Sequence, residues 1–265
     1  MNHTPPIFID EGSHTTAFFA LDNPQTLVIF IHGFNGRSIN TWGEFPDFIR
    51  LNNDFKNADI LFYGYDSLKN PAAQSSQNLY NTLSNLTENS PNAWGIERTF
   101  ITQSFKYGQI VLVAHSLGAL VLRKALLLAK RDHKEWLDSC KMILFAPAHH
   151  GFKMRNLIFE SLSSIETILS GLGLISFPVL EDLKPNSFII QNLLHDSMQL
   201  LDKKQGNFTI ADQIIWSKEE EIVRNEHFGQ DPIPLLVENK AHHAICKPDS
   251  QYLIPYHLVV KSLYA

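Results

Sequence analysis

The chain has 265 residues, 44% of them hydrophobic and 18% charged, with a formal net charge of -5. That is enough apolar material for one large α/β domain, and the missing basic stripe excludes a general nucleic-acid binder. Two distant cysteines, Cys140 and Cys246, make neither a disulfide framework nor a zinc pattern. The start MNHTPPIFIDEGS has no basic and apolar regions of a signal peptide, and no apolar run reaches membrane-spanning length, so a soluble cytoplasmic protein is expected.

Taken in chain order, PIFID, TTAFFAL and TLVIFI read as strands separated by turn residues. TLVIFI is apolar throughout and suits a strand buried on both faces. The loop HGFNGRS follows, then a helix near Thr41 to Asn52, then the strand ADILFYGY. Leu79, Leu83 and Leu86 give a helical period between Pro71 and Ser90, and a second helix is expected up to about Tyr107. QIVLVA is a strand, LGALVLRKALLLAKR a central helix, and KMILFA a further strand. Later segments read as the strands QGNFTIADQIIW and IPLLVE and a closing helix SQYLIPYHLVVKSL with Pro255 in its first half. Strand and helix alternate, so the expected architecture is a mostly parallel, doubly wound sheet with an antiparallel start.

Ser116 lies between the strand VLVA and the helix that follows. Ala114-His115-Ser116-Leu117-Gly118 has the small-x-Ser-x-Gly spacing of a nucleophile elbow. A serine there must leave the strand abruptly with its hydroxyl exposed, and the positions two before and two after must be small. A plain helix cap is the alternative for the same serine. Ile31-His32-Gly33-Phe34 provides a Gly-containing loop after an earlier buried strand. Its Phe34 N–H, paired with that of Leu117, would receive an oxyanion; the alternative is a simple tight turn.

Together, IHGFNG, TWGEF, FYGYDS, VAHSLGALV and FAPAHHGF, in this order, resemble the α/β-hydrolase serine esterases grouped with lipases and GPI-inositol deacylases. The similarity covers most of the chain. It is specific over residues 27–151 and looser in the C-terminal third, where LKPNS also matches a segment common in lipase-like proteins. Ala114 stands where many members have Gly. The resemblance implies ester or thioester hydrolysis through Ser, an acid and His.

In this fold the acid follows the serine and the histidine comes last. By position after the strand IIW, Glu219, Glu220 and Glu221 all qualify. Asp212 falls too early, inside the strand, and Asp231 is an outsider. The family's acid turn reads acid-x and two β-branched residues, which selects Glu220 in Glu220-Glu221-Ile222-Val223. The base comes from AHHAICKP, where the family's His-x-x-Ile-x-Lys-Pro spacing selects His242 over His243. His32 is read as ordering the oxyanion loop, His115 as packing beneath the nucleophile, and one of His149 and His150 as a support for the active-site loops. Asp66 is read as a structural carboxylate, Cys246 as a buried small residue, and Trp42 and Trp94 as core or rim aromatics.

Residues 152–180 interrupt the alternation. Leu157, Leu162, Ile165, Ile168, Leu169 and Leu172 recur at helical spacing with polar residues between them. A helical lid inserted over the pocket is expected, with packing into the core as the alternative. The sequence thus describes one α/β-hydrolase domain, 1–265, with its insertion. It would act on a small-molecule ester or lipid-like substrate with an apolar acyl group, through an acyl-enzyme and without cofactor or metal. The greasy underside of such a lid suits an acyl chain; its acidic polar face disfavours a membrane-surface helix and leaves at most a transient membrane-surface contact. A serine peptidase or amidase, and a catalytically silent hydrolase-fold binding protein, are the rival readings. Oligomeric state is not encoded in any feature noted.

Overall fold

A computed structural model describes residues 2–10, 15–22, 24–89, 105–153, 177–202 and 208–264. Eight strands among them form one sheet: β1 Ile7–Asp10, β2 Thr15–Phe18, β3 Thr26–Ile31, β4 Ala58–Tyr63, β5 Gln109–His115, β6 Cys140–Phe145, β7 Gln213–Ser217 and β8 Leu235–Val237. Their spatial order is β1-β2-β4-β3-β5-β6-β7-β8. The first two pairings are antiparallel and the rest parallel.

The middle strands are apolar runs because neither face meets water. All of β4 is buried, as are β3 and β5 beyond their first residues. Each fully buried Leu, Ile, Val or Phe contributes roughly 1.5–3 kcal/mol relative to exposure. Phe30 of β3 stacks on Phe62 of β4 at 4.7 Å between ring centroids and meets Trp42 edge-on at 5.0 Å, which makes Trp42 a core residue. Helix α1 spans Phe45–Leu51, α2 Ala72–Glu88, α3 Leu117–Arg131, α4 Pro178–Asp182, α5 Phe188–Asp202 and α6 Ile254–Tyr264. α2 packs on α3, while α6 packs on β5 and β6, with Tyr256 against Phe48 of α1.

Several elements are shorter than their sequence pattern. The helix expected over Thr41–Asn52 is a 3-10 turn, Asn40–Trp42, followed by α1. Gly43 separates them in a positive-φ conformation (58°), and Pro46 starts the new helix where its missing N–H is harmless. β7 begins only at Gln213, so Asp212 precedes the strand; its carboxylate accepts the N–H of Met142 at 2.6 Å. Pro232 and Pro234 restrict β8 to three residues. α6 starts at Ile254, which puts Pro255 in its first turn. The second helix expected before Tyr107, Trp94 and the body of the insertion, with Leu162 and Ile165, lie outside the described residues.

Register lines up the functional edge. Ile31 pairs with Ala114, His115 with Phe145, Phe145 with Ile215, and Ser217 with Val237. The loops after β3, β5, β6 and β7 therefore leave the sheet side by side at the carboxyl ends of its strands, the edge where open α/β sheets bind ligands.

Candidate active site

Ser116 follows β5 with φ 55° and ψ −121°, a conformation that strains any residue with a Cβ. Its side chain makes no capping bond to α3, which removes the helix-cap explanation. The strain is held in place from outside. Ser116 N–H donates to Phe145 O at 3.0 Å, and Ser116 O accepts the N–H groups of Ala119 and Ala148, both at 3.1 Å. Gly118 has no room for a side chain, because a Cβ there would lie 2.4 Å from Ile31 O and 2.6 Å from His32 O. Gly33 is equally constrained: its Cβ would meet the Cβ of Ser116 at 2.8 Å, so the HGF loop lies directly on the serine. The backbone N–H groups of Phe34 and Leu117, flanking that contact, have no hydrogen-bond partner among the described residues.

Glu220 and His242 come from two further loops. His242 Nε2 lies 2.9 Å from Ser116 Oγ, and His242 Nδ1 lies 3.0 Å from both oxygens of Glu220. Glu220 is buried, while Glu219 and Glu221 are exposed. Its Oε1 accepts the N–H groups of Ile222 (2.8 Å) and Val223 (3.1 Å), so the acid-x-Ile-Val register is a local hydrogen-bonded turn. Burial alone would raise the Glu220 pKa; the His242 hydrogen bond and charge, with those two N–H groups, outweigh it and hold the carboxyl below its ordinary value. Glu219 instead accepts from Ser217 Oγ (3.2 Å) and Asn239 N–H (3.1 Å), which ties the end of β7 to the turn after β8. His243 is exposed.

The remaining candidates have identifiable structural partners. His32 donates from Nδ1 to Gly33 O at 2.8 Å and stacks on Tyr65 at 4.3 Å; Tyr65 OH donates to His32 O at 2.8 Å. Burial pushes the His32 pKa down to about 4, so it stays neutral and holds the loop rather than exchanging protons. His149 and His150 donate from Nε2 to Glu226 O and His227 O, each at 3.0 Å, and so support the loop that follows the acid turn. Asp66 accepts the N–H groups of Leu68 and Lys69. Cys246 is buried, and burial lifts its thiol pKa to about 12. Asp231 is engaged elsewhere. It meets the buried guanidinium of Arg123 at 2.5 Å and accepts Ala211 N–H at 2.9 Å. Among the described residues no group of three or more His, Cys, Asp or Glu is placed to hold a metal ion.

Sequence reasoning passed over two supports, and only one of them carried a signal. Arg123 is the one charge on the buried side of α3, and a buried guanidinium requires a counter-ion; Phe228 covers it at 3.8 Å. Lys153, at the root of the insertion, donates from Nζ to Glu220 O at 3.1 Å and from its N–H to Ile222 O at 2.8 Å. Nothing in the sequence around Lys153 points to that contact.

This sheet order, with a strained serine after the fifth strand, defines the protein as having the α/β-hydrolase fold. The chain is similar in structure to a lipase of Bacillus licheniformis in its mature form, with a TM-score of 0.58 at 13% identity over 92% of this chain and 97% of that one. It is also similar to a monoacylglycerol lipase of Paleococcus ferrophilus, at TM-score 0.54 and 11% identity, covering 95% and 98% of the two chains. An α/β hydrolase from the metagenome of sediments of the Mar Chica lagoon in Morocco gives 0.52 at 14% identity, covering 95% and 96%. At such identities the likeness is one of fold. No protein-family model matches the chain, and no curated protein does.

Proposed function

We propose that this protein is a serine hydrolase that cleaves carboxylic esters, or thioesters, through an acyl-enzyme. The observation that carries the reading is the unbroken line of contacts from Ser116 Oγ through the His242 ring to Glu220, with Ser116 on a strained turn. In this reading Ser116 Oγ attacks the acyl carbon and its proton passes to His242 Nε2. Glu220, ionised at neutral pH, keeps Nδ1 protonated and stabilises the imidazolium. The tetrahedral oxyanion is received by the N–H groups of Phe34 and Leu117, aided by the positive end of α3. His242 then protonates the leaving alcohol or thiol, and a water molecule repeats the sequence to release the acid. The route uses no cofactor and no metal.

An apolar acyl group fits the names of the similar structures, two of which are called lipases. A lipid-like ester, met transiently at a membrane surface, is the corresponding substrate class. No described helix is long and apolar enough to cross a membrane.

A fluorophosphonate probe tests the reading. It should label Ser116 stoichiometrically and abolish turnover of p-nitrophenyl esters, and the enzyme should turn over the ester well ahead of the matching anilide. Absence of labelling would make the fold a binding scaffold; faster anilide cleavage would make it an amidase.

A further inference from the structure

His115 closes β5 immediately before Ser116, and its side chain is buried. Its Nε2 lies 3.0 Å from the backbone oxygen of His242. A carbonyl only accepts, so His115 Nε2 carries the hydrogen and the ring is the Nε2–H tautomer. The two rings also touch, with centroids 4.9 Å apart and planes at 48°. Burial first, then the neighbouring His242 ring, holds the His115 pKa well below the ordinary histidine value. The other nitrogen, Nδ1, is buried with no partner among the described residues.

A phenyl ring would fill similar space without stranding a nitrogen. What imidazole adds is one donor aimed at the main chain of the residue that faces Ser116. The 241–247 turn is held internally by the N–H groups of Ala244, Ile245 and Lys247. Its far end is tied to the 41–44 segment, through Cys246 Sγ to Thr41 O at 3.4 Å and Glu44 N–H to Pro248 O at 3.4 Å. His115 ties the near end to β5. Because His115 and Ser116 are consecutive, the contacts close a ring. It runs from Ser116 Oγ to His242 Nε2, along His242 to its carbonyl, across to His115 Nε2, and one residue along the chain back to Ser116.

We propose that His115 is a positioning residue that fixes the main chain of His242 against Ser116, so that Nε2 and Oγ stay within hydrogen-bond reach before substrate arrives. The proposal rests on the serine-hydrolase reading above. An error of about an ångström in such a contact lowers turnover by about 10²-fold.

The test compares His115→Phe, which keeps a ring and loses the donor, His115→Asn, whose amide is too short, and His115→Gln, whose amide reaches about as far as Nε2. Steady-state kinetics on p-nitrophenyl butyrate, the rate of fluorophosphonate labelling and thermal melting are measured for each. Phe and Asn should lower kcat and the labelling rate by about 10- to 100-fold, with KM changed by less than about threefold. Gln should recover most of the loss. Equal impairment of Gln and Asn at equal melting temperature, or unchanged kcat in Phe, would overturn the proposal, as would an effect confined to KM. If the Phe variant does not fold, the Asn–Gln pair decides. Failure of the underlying reading is separable: wild-type protein would then leave Ser116 unlabelled, and Ser116→Ala would keep its turnover.

Discussion

Between Gln109 and Arg131 the chain builds its half of the candidate site from contiguous residues, whereas Glu220 and His242 sit on separate loops, far apart in the chain, that meet at the edge of the sheet. The first half is governed by sterics. β5 ends, Ser116 takes a positive φ, and Gly118 lets α3 start against the backbone oxygens of Ile31 and His32. The second half is governed by hydrogen bonds: Glu220 to the N–H groups of its own turn, Lys153 to the Glu220 carbonyl, His115 to the His242 carbonyl. A steric solution accepts a single small residue at each crowded position. A hydrogen-bonded one depends on donors that can be removed one at a time without disturbing the sheet.

That contrast can be broken most decisively at its centre. Ser116→Ala should lower kcat by about 10³-fold or more while leaving the melting curve in place. A folded mutant with more than a tenth of wild-type kcat removes the nucleophile assignment. Among the glutamates, Glu220→Gln should cost at least about 10²-fold in kcat, and Glu219→Gln and Glu221→Gln less than about fivefold. Ester kinetics on the three variants, beside His242→Ala and His243→Ala, check the register of both loops. Full loss at Glu219 or His243 instead would shift the assignment by one residue.

The steric half predicts a stability effect. Gly118→Ala puts a Cβ against two backbone oxygens that cannot swing aside. It should destabilise the fold by about 3 kcal/mol, seen as a fall in Tm of roughly 6–12 °C. A melting point within a degree of wild type would mean that the elbow is looser than its packing indicates.

The most gradual effect is in the pH dependence. His32, His115 and His149 have pKa values lowered first by burial and are neutral when folded. The unfolded chain takes up protons at these sites below about pH 6.5 and the folded chain does not. Stability therefore falls with pH below that point, by at most about 1.4 kcal/mol per unit for each histidine. For His32 the fall ends at about pH 4. Glu220 adds to it lower down, because its folded pKa is depressed: its contribution is complete above the ordinary value of 4.5 and is lost as pH drops through the folded value. Thermal melts between pH 7.5 and 4 should show a steady decline. A flat profile down to pH 5 would mean that these histidines are protonated in place.

The same contrast explains what could be read in advance. The strands β3, β5 and β6 are legible because burial on both faces writes uninterrupted apolar runs. The elbow is legible because its crowding restricts residues two positions either side of Ser116. The glutamate register is legible because its N–H donors, Ile222 and Val223, are two and three residues away. Contacts that span the chain left no such trace. Lys153 and Glu220 are 67 positions apart and His115 and His242 127 apart, and no local pattern records either pairing. The broken helix at Gly43 and the short β8 depended on backbone angles and proline placement that an apolar period does not register.

The roots of the 154–176 segment carry a consequence for the chain as a polymer. Phe152 N–H donates to Leu183 O at 3.0 Å, Phe152 bridges Val223, and Asp182 caps α2 by accepting Ala72 N–H at 2.7 Å. The segment thus departs and returns between anchors that already touch. For ends held together in this way the entropic penalty grows only with the logarithm of the intervening length, about 0.6 kcal/mol for each doubling. Residues added between these anchors should therefore cost global stability little, while the Phe152–Val223 contact keeps the Glu220 turn in place.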